Sequence, residues 1–172
     1  MDVSEAITRR ASIRHYRSED IPQEMLIRVL SAMREAPSAC NFQPWKFVVI
    51  REEAARKRVA EACSRQMFIA EAPVIIAGCG TPGQAYKRMG GYGNSVEVDL
   101  AIALDHLTLA AVAEGLGTCW IGSFDEQKVK RILDVPDPVK VVALTPLGFP
   151  AVPGKPHHRK PLDEIVCWEE WH

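Results

Sequence analysis

The sequence lacks the features that mark several large classes of protein. Its 21 basic residues nearly balance its 22 acidic ones, so the overall charge favours neither nucleic acid nor an anionic membrane as a partner. The five cysteines are scattered and include no Cys-x-x-Cys pair, which argues against a disulfide framework or a zinc site and favours a reducing compartment. No Walker phosphate loop is present either, so a nucleoside triphosphatase has no support.

The composition that remains is that of an ordinary globular domain. Apolar residues make up 47% of the 172 residues and charged residues 25%, and the length suits one domain spanning residues 1–172. The first ten residues are polar and carry no signal peptide, so we expect a cytoplasmic location. Any binding of anions must come from a local cluster of cations.

Apolar periodicity and turn residues divide the chain into alternating helices and strands. Asp2 and Glu5 have the spacing of a capping box, and Pro22 suits the first turn of a second helix. The pattern predicts helices over residues 2–10, 22–35, 52–65, 95–115 and 125–133, a buried strand over 46–50, further strands over 73–78, 118–122 and 139–148, and extended backbone over 13–16. This alternation predicts an α/β or α+β fold in which helices cover a sheet, and it leaves the strand order open.

The helix predicted over residues 95–115 is apolar on nearly every side, but acidic residues interrupt it too often for a membrane span. A helix of this kind is buried on more than one face, which in so small a protein predicts a partner subunit. The C-terminal segment carries apolar residues that would be costly to expose, namely Leu162, Ile165, Val166, Trp168 and Trp171. We therefore expect this tail to dock on another surface.

Two guanidinium groups and a hydroxyl recur at every second residue near the N-terminus, at Arg10, Ser12 and Arg14. An extended backbone points alternate residues to one side, so one phosphate could meet all three. Arg159 and Lys160 form a second basic cluster near the other end of the chain. The alternative for the first cluster is a solvated basic helix end, and the second cluster alone is a weak signal.

A stretch dense in amide and hydroxyl groups covers residues 37–45. Ser38, Asn41 and Gln43 offer donors and acceptors suited to the edge of a heteroaromatic ring. Together with the basic cluster they indicate a pocket for a phosphorylated, partly aromatic ligand, although the stretch is equally consistent with a plain helix-to-strand loop. The sequence of residues 119–122 has two interpretations. It is either a glycine turn whose backbone approaches a ligand or a buried strand that ends in a tight turn.

No residue of the sequence stands out as a catalytic acid, base or nucleophile. Cys79 and Cys119 lie among apolar neighbours and outside any nucleophile-and-base pattern, so we expect inert buried thiols. His15 and His106 are expected to make ordinary polar contacts.

Taken in order, these motifs resemble the nitroreductase family. The resemblance rests on Arg10-x-Ser12-x-Arg14, Pro37-Ser38-x-x-Asn41-x-Gln43-Pro44-Trp45, Gly115-Leu116-Gly117-x-Cys119-Trp120-Ile121-Gly122 and Arg159-Lys160-Pro161-Leu162-Asp163-Glu164-Ile165-Val166. It covers essentially the whole chain, which is short like the compact members of that family. It implies an α+β fold, namely a three-layer α-β-α sandwich with a mainly antiparallel sheet, in an intertwined homodimer that holds FMN at the subunit interface.

The same resemblance implies roles for individual residues around the FMN. Arg10, Ser12 and Arg14 would hold the ribityl chain and its phosphate, and Arg159 with Lys160 would complete the phosphate site. The other subunit would contribute Pro37, Ser38, Ala39, Asn41 and Gln43. The backbone along the pyrimidine and N5 side would come from Trp120, Ile121 and Gly122. Ala39 replaces a frequent serine, which removes one possible hydrogen bond, and the loop over residues 80–93 would line the substrate side.

The activity that the resemblance implies is hydride transfer from NAD(P)H through flavin N5 to a nitroaromatic, quinone or similar acceptor, with ping-pong turnover. The flavin would carry the chemistry, which agrees with the lack of an obvious catalytic side chain. Three alternatives remain open. They are a same-fold flavoenzyme acting on enones or free flavin, a flavin-binding or storage module with little turnover, and a phosphoanion binder without flavin that uses Arg10 and Arg14.

Overall fold

The computed structural model of the protein describes residues 1–155 and 158–171, and it has three layers. The helices are α1 (Val3–Arg9), α2 (Gln23–Arg34), α3 (Glu53–Ala62), α4 (Phe68–Glu71), α5 (Val96–Ala113) and α6 (Glu126–Leu133). The strands are β1 (Trp45–Ile50), β2 (Val74–Gly80), β3 (Gly117–Thr118) and β4 (Lys140–Gly148). Helices α2 and α5 cover one face of the sheet, and α3, α4 and α6 cover the other. The predicted α-β-α sandwich is thus confirmed for the single chain.

The sheet has the order β1-β2-β4-β3, and every pair of neighbouring strands is antiparallel. All residues of β2 are buried because β2 lies in the middle of the sheet. Strand β1 lies at the edge and is only half buried, with Val49 exposed. The prediction of a buried strand over residues 46–50 is therefore wrong about burial, since an apolar run does not reveal that its strand has only one neighbour.

The core forms on both faces of the sheet because side chains of a strand alternate. Val74 and Ile76 of β2 face the layer of α2 and α5, where they meet Leu104 and Leu107. Ile75 lies on the opposite face, in the cluster that includes residues of α3, α4 and α6.

Local signals set most helix ends where the sequence predicts them. The Asp2 carboxylate accepts a hydrogen bond from the Glu5 backbone at 2.8 Å and caps α1, and Asp125 caps α6 through the Lys128 backbone at 3.0 Å. Helix α5 ends at Ala113, and Gly115 follows it with a φ of +76°, which lets the Leu116 N–H bond to the Ala111 carbonyl at 2.7 Å.

Three elements differ from the prediction. Helix α3 ends at Ala62, before Arg65, because Ser64 and Arg65 both adopt left-handed backbone. The strand predicted over residues 118–122 is reduced to Gly117–Thr118, after which Ile121 makes an isolated bridge to Leu144. The single-turn helix α4 was not predicted, since four residues carry too little periodicity to be recognised.

The C-terminal tail lies on the surface of the chain. Trp168 is 75% exposed and Trp171 is 96% exposed, and Leu162 and Ile165 are exposed as well. The expected docking of the tail is therefore not met within this chain and stays a prediction about a partner. No helix among residues 1–155 and 158–171 is long and apolar enough to cross a membrane.

Candidate functional site

The segment that carries the N-terminal arginines runs extended beside β3. The Ile13 N–H donates to the Thr118 carbonyl at 2.8 Å, and Ser12 forms a parallel bridge with Thr118. Ile13 is buried, whereas Arg14 is exposed. The Tyr16 hydroxyl donates to the Ile13 carbonyl at 2.8 Å and fixes the end of the segment.

Arg10, Ser12 and Arg14 all influence the thiol of Cys119. Burial raises the pKa of Cys119, while the charge of Arg14, a hydrogen bond with Ser12 and the charge of Arg10 act in the opposite direction. The three residues that the sequence places at alternate positions therefore act on the same buried thiol, and their joint binding of one phosphate stays a prediction. Burial also raises the pKa of the Cys63 and Cys79 thiols to about 11, so these two are protonated at neutral pH.

A cleft of about 550 Å³ opens beside this segment. Four of its lining residues are cationic, namely Arg9, Arg10, Lys155 and Arg159, and none of its described lining residues is acidic. Arg10 thus belongs both to the group around Cys119 and to the cleft that contains Arg159. Ser12, Arg14 and Lys160 do not line the cleft, and the Lys160 ammonium lies 4.0 Å from a carboxylate oxygen of Glu164.

Residues 120–122 continue from Cys119 and differ in how available they are to a ligand. Trp120 and Gly122 are exposed. Ile121 is buried and uses both backbone groups in bonds with Leu144, at 2.9 and 3.1 Å. A Cβ atom added at Gly122 would meet only the Trp120 indole nitrogen, at 3.9 Å, so packing within the chain does not require glycine there. Open space beside a glycine suits the close approach of a ligand.

The loop over residues 37–43 has an unusual backbone. Cys40, Asn41 and Gln43 have φ values of 53°, 55° and 49°, a region that non-glycine residues rarely adopt. The Gln43 N–H donates to the Ser38 hydroxyl oxygen at 2.9 Å, and the Gln43 side-chain amide donates to the Asn41 side-chain oxygen at 3.2 Å. Pro37, Asn41 and Gln43 are exposed, whereas Ser38 and Ala39 are half-buried. Strained backbone that presents polar groups to solvent is typical of a binding loop.

Asp99 holds this loop, and the sequence analysis did not assign it a role. Its carboxylate accepts a hydrogen bond from the Ala39 N–H at 3.0 Å, and the residue is only 3% exposed. The available signal was an acidic residue within a helix that is otherwise apolar on most sides.

The two groups of site residues lie at opposite ends of α5. The loop is bonded to Asp99 near the start of the helix, whereas the cleft with Arg10 is lined by Val112 near its end. Thirteen residues separate Asp99 from Val112, which corresponds to roughly 20 Å along the helix axis.

The spacing Gly78-x-Gly80-x-x-Gly83 matches a dinucleotide-binding pattern in its letters but not in its structure. A Cβ atom at Gly80 would lie 2.4 Å from Val96, and one at Gly78 would lie 3.1 Å from Leu100. A 3-10 turn, Pro82–Gln84, follows in place of the helix that a dinucleotide site needs. The first two glycines therefore serve the packing of β2 against α5.

Comparisons with known proteins show which family this chain is similar to in sequence and in fold. The sequence model of the nitroreductase family matches residues 7–78 and 63–149. A protein of Thermus thermophilus named NADH dehydrogenase is 32% identical over 197 aligned positions, which cover 98% of this chain and 96% of that protein. A Bacillus subtilis protein named FMN reductase [NAD(P)H] is 28% identical, covering 95% of this chain and 72% of its own length. The crystal structure of a nitroreductase family protein from Clostridium difficile superposes with a TM-score of 0.90 at 28% identity, covering 99% of this chain and 100% of that one.

Proposed function

The chain belongs to the nitroreductase family, and from that premise we propose that it is an FMN-dependent NAD(P)H oxidoreductase. Relatives named NADH dehydrogenase and FMN reductase support both the flavin and the nicotinamide donor. In the proposed reaction, hydride passes from NAD(P)H through flavin N5 to a nitroaromatic, quinone or similar acceptor, in ping-pong order. We propose that residues 1–172 form one domain and that the enzyme works in the cytoplasm.

The donor set fits the phosphate of FMN. Arg10 and Arg14 would provide charge-assisted hydrogen bonds, and Ser12 lies between them on the same extended segment. Arg159 would add a further cation from the cleft that it shares with Arg10, and Lys160 follows it in the chain. Together these groups supply local positive charge in a chain whose net charge is −1.

The isoalloxazine ring would lie between groups from two copies of the chain. Trp120 and Gly122 would approach it from the subunit that holds the phosphate, with Ile121 contributing packing because its backbone is bonded to Leu144. The partner subunit would contribute the 37–43 loop, through Pro37, Ser38, Ala39, Asn41 and Gln43. The separation of roughly 20 Å within one chain supports this sharing, since a second copy can bring the loop back to the cleft.

The protein's own task is to bind and to orient. When bound, FMN supplies the hydride chemistry itself, so the chain needs no acid, base or nucleophile. The arginines would fix one end of the cofactor, and the 37–43 loop would fix the other. The buried thiol of Cys119 stays protonated because burial raises its pKa.

One observation carries the proposal: Arg10 lines a cationic cleft with Arg159, on the extended segment that also carries Ser12 and Arg14. The first test is the visible absorption spectrum of the purified protein, recorded before and after NADH or NADPH is added without oxygen. We expect bound flavin that is bleached by the donor. Bound flavin that is not bleached would favour a storage module, and a colourless protein that takes up no FMN would favour a phosphoanion binder.

The acceptor is a separate question. A relative named FMN reductase favours free flavin as a second candidate acceptor. Steady-state rates with a nitroaromatic, a quinone, an enone and free FMN would rank the candidates. Ping-pong order predicts parallel lines in double-reciprocal plots when donor and acceptor concentrations are both varied.

A further inference from the structure

A short chain of hydrogen bonds connects two loops through the start of α5. The Asp99 carboxylate accepts from the Ala39 N–H through one oxygen, at 3.0 Å, and from the Ser95 hydroxyl through the other, at 2.7 Å. The Ser95 oxygen in turn accepts from the Tyr86 N–H at 3.1 Å. Asp99 and Ser95 are 3% and 1% exposed, so water does not compete for these bonds.

The two ends of this chain lie in different loops. Ala39 belongs to the 37–43 loop, here named the cofactor loop, and Tyr86 belongs to the 80–93 loop, here named the acceptor loop. A second bond, from the Thr81 N–H to the Pro44 carbonyl at 2.8 Å, keeps the loops side by side and involves neither Asp99 nor Ser95. The Ser95 N–H also donates to the Tyr86 carbonyl, at 2.9 Å. A change of the Asp99 or Ser95 side chain therefore breaks the side-chain bonds between the loops and leaves these backbone bonds intact.

The carboxylate suits this position for two reasons. It is acceptor-only, so it fixes the direction of the Ser95 hydroxyl and leaves the oxygen of Ser95 free to accept from Tyr86. It also lies in the first turn of α5, where the helix dipole favours a negative charge. Without it, the Ala39 N–H would lose its acceptor beside the strained residues Cys40 and Asn41.

We propose that Asp99 is a positioning residue that couples the cofactor loop to the acceptor loop through Ser95. The inference rests on the proposed function, in that the cofactor loop contacts FMN and the acceptor loop lines the acceptor side. Binding of FMN restrains Ala39, and the restraint passes through Asp99 and Ser95 to the backbone of Tyr86. FMN thus orders the acceptor side of the site before the acceptor arrives.

The test measures the acceptor loop directly. Lys87 and Arg88 are exposed within it, so trypsin cleavage after these residues reports how tightly the loop is held. The rate is measured with and without FMN for the wild type and for Ser95→Ala, Asp99→Ala and Asp99→Asn, together with FMN affinity and thermal midpoint. Glu24→Gln is the control, because it removes an exposed carboxylate from the first turn of another helix, α2, outside the chain of bonds.

Each variant has its own expected result. FMN slows cleavage of the wild type and of Glu24→Gln several-fold. Ser95→Ala keeps the bond to Ala39, so it binds FMN within about threefold of the wild type but loses the protection. Asp99→Ala loses both the bond to Ala39 and the protection of the acceptor loop. Its FMN affinity is about tenfold weaker, a factor that corresponds to one lost hydrogen bond to a charged group. Asp99→Asn retains an acceptor for Ala39 and restores most of the affinity.

Protection by FMN that persists in Ser95→Ala would overturn the proposal, and so would wild-type FMN affinity in Asp99→Ala. Failure of the proposed function is a different result, since the wild type would then bind no FMN. The bond network is tested in that case too. FMN-free Ser95→Ala must be cleaved faster at Lys87 and Arg88 than the FMN-free wild type, and equal rates would refute the role of Ser95.

Discussion

At the scale of residues, positive charge is concentrated where the proposed phosphate would bind. Arg10 borders a cleft that also contains Arg9, Lys155 and Arg159, although the chain as a whole carries a net charge of −1. Arg9 is paired with Glu5 at 2.9 Å, and the proximity of several cations is a cost to the folded state unless an anion joins them. Arg14 lies outside this cleft, on the same extended segment as Arg10, so its part in the proposed phosphate site is a separate prediction.

Replacing Arg14 with alanine should weaken FMN retention by about tenfold or more, because a hydrogen bond to a charged group contributes about 1.5–3 kcal/mol. The measurement is the dissociation constant from quenching of flavin fluorescence. Arg51→Ala serves as the control, since Arg51 bonds to Gln23 away from the site. Unchanged affinity in Arg14→Ala would remove this guanidinium from the phosphate site.

Two glycines near β3 should respond to alanine in opposite ways. At Gly117 a Cβ atom would lie 2.5 Å from Ile13 and 3.0 Å from Pro150, so Gly117→Ala should lower the free energy of unfolding by about 1–3 kcal/mol. At Gly122 the nearest atom is 3.9 Å away, so Gly122→Ala should change it by less than about 0.5 kcal/mol. Gly122→Ala should instead weaken FMN binding, as the new methyl group occupies the space left for the ring. Denaturant unfolding measures the change in stability, and FMN titration measures the change in affinity. If Gly122→Ala binds FMN as tightly as the wild type does, Gly122 does not lie against the ring.

At the scale of elements, the sequence predicts what is decided locally and misses what distant partners decide. Asp2 and Asp125 are N-cap residues, and each accepts a hydrogen bond from the backbone N–H three residues later in the chain. Because this signal is local, α1 and α6 begin where the sequence predicts them. The edge position of β1 depends on which strands pair, and no local pattern records that. The single bridge at Ile121 likewise depends on Leu144, more than twenty residues later.

The same distinction applies to the site. The alternation of Arg10, Ser12 and Arg14 is a local property of extended backbone, and all three residues act on the same Cys119 thiol. Asp99 escaped notice because its partner, Ala39, is sixty residues earlier in the chain. Long-range hydrogen bonds to backbone leave no periodicity in the sequence.

An ion pair that joins two helices gives a prediction about pH. Arg28 of α2 donates to both carboxylate oxygens of Glu114, at the end of α5, at 2.8 and 2.7 Å. The hydrogen bond with Arg28, and then its charge, hold the pKa of Glu114 below its ordinary value. A lowered carboxyl pKa adds stability above the unfolded value of about 4.3, and that stability is lost as the pH falls through the folded pKa.

The variant Glu114→Gln should therefore show a smaller fall in the free energy of unfolding than the wild type as the pH drops below the unfolded carboxyl pKa of about 4.3. The effect should be small, because both side chains are partly exposed to solvent and salt. Denaturant unfolding at several pH values measures it. Glu35→Gln is the control, since among the residues that the structure describes Glu35 pairs only with its neighbour Arg34. Equal declines in the wild type and Glu114→Gln would show that the pair does not couple α2 to α5.

At the scale of the whole molecule, the chain leaves exposed the surfaces that a second copy would cover. One side of α5 packs into the core, while Val98, Ala101 and Ile102 line a shallow and mainly apolar groove on the other. The tail adds further apolar surface at Trp168 and Trp171. Exposed apolar area of this extent favours association, and the division of the proposed site between the two ends of α5 requires it.

Removal of residues 161–172 should weaken the proposed homodimer, because the contacts that the tail would make with the partner subunit are then lost. The apolar side chains removed are Leu162, Ile165, Trp168 and Trp171. Sedimentation across a concentration series should show the truncated chain dissociating at concentrations where the full chain remains dimeric. FMN affinity should fall with it and recover at higher protein concentration, since the site needs both copies. The double variant Trp168→Ser and Trp171→Ser in the full chain should show an intermediate effect if the tail acts through its apolar side chains. A truncated chain that stays dimeric and binds FMN as before would mean that α5 alone holds the two copies together and that the tail docks elsewhere.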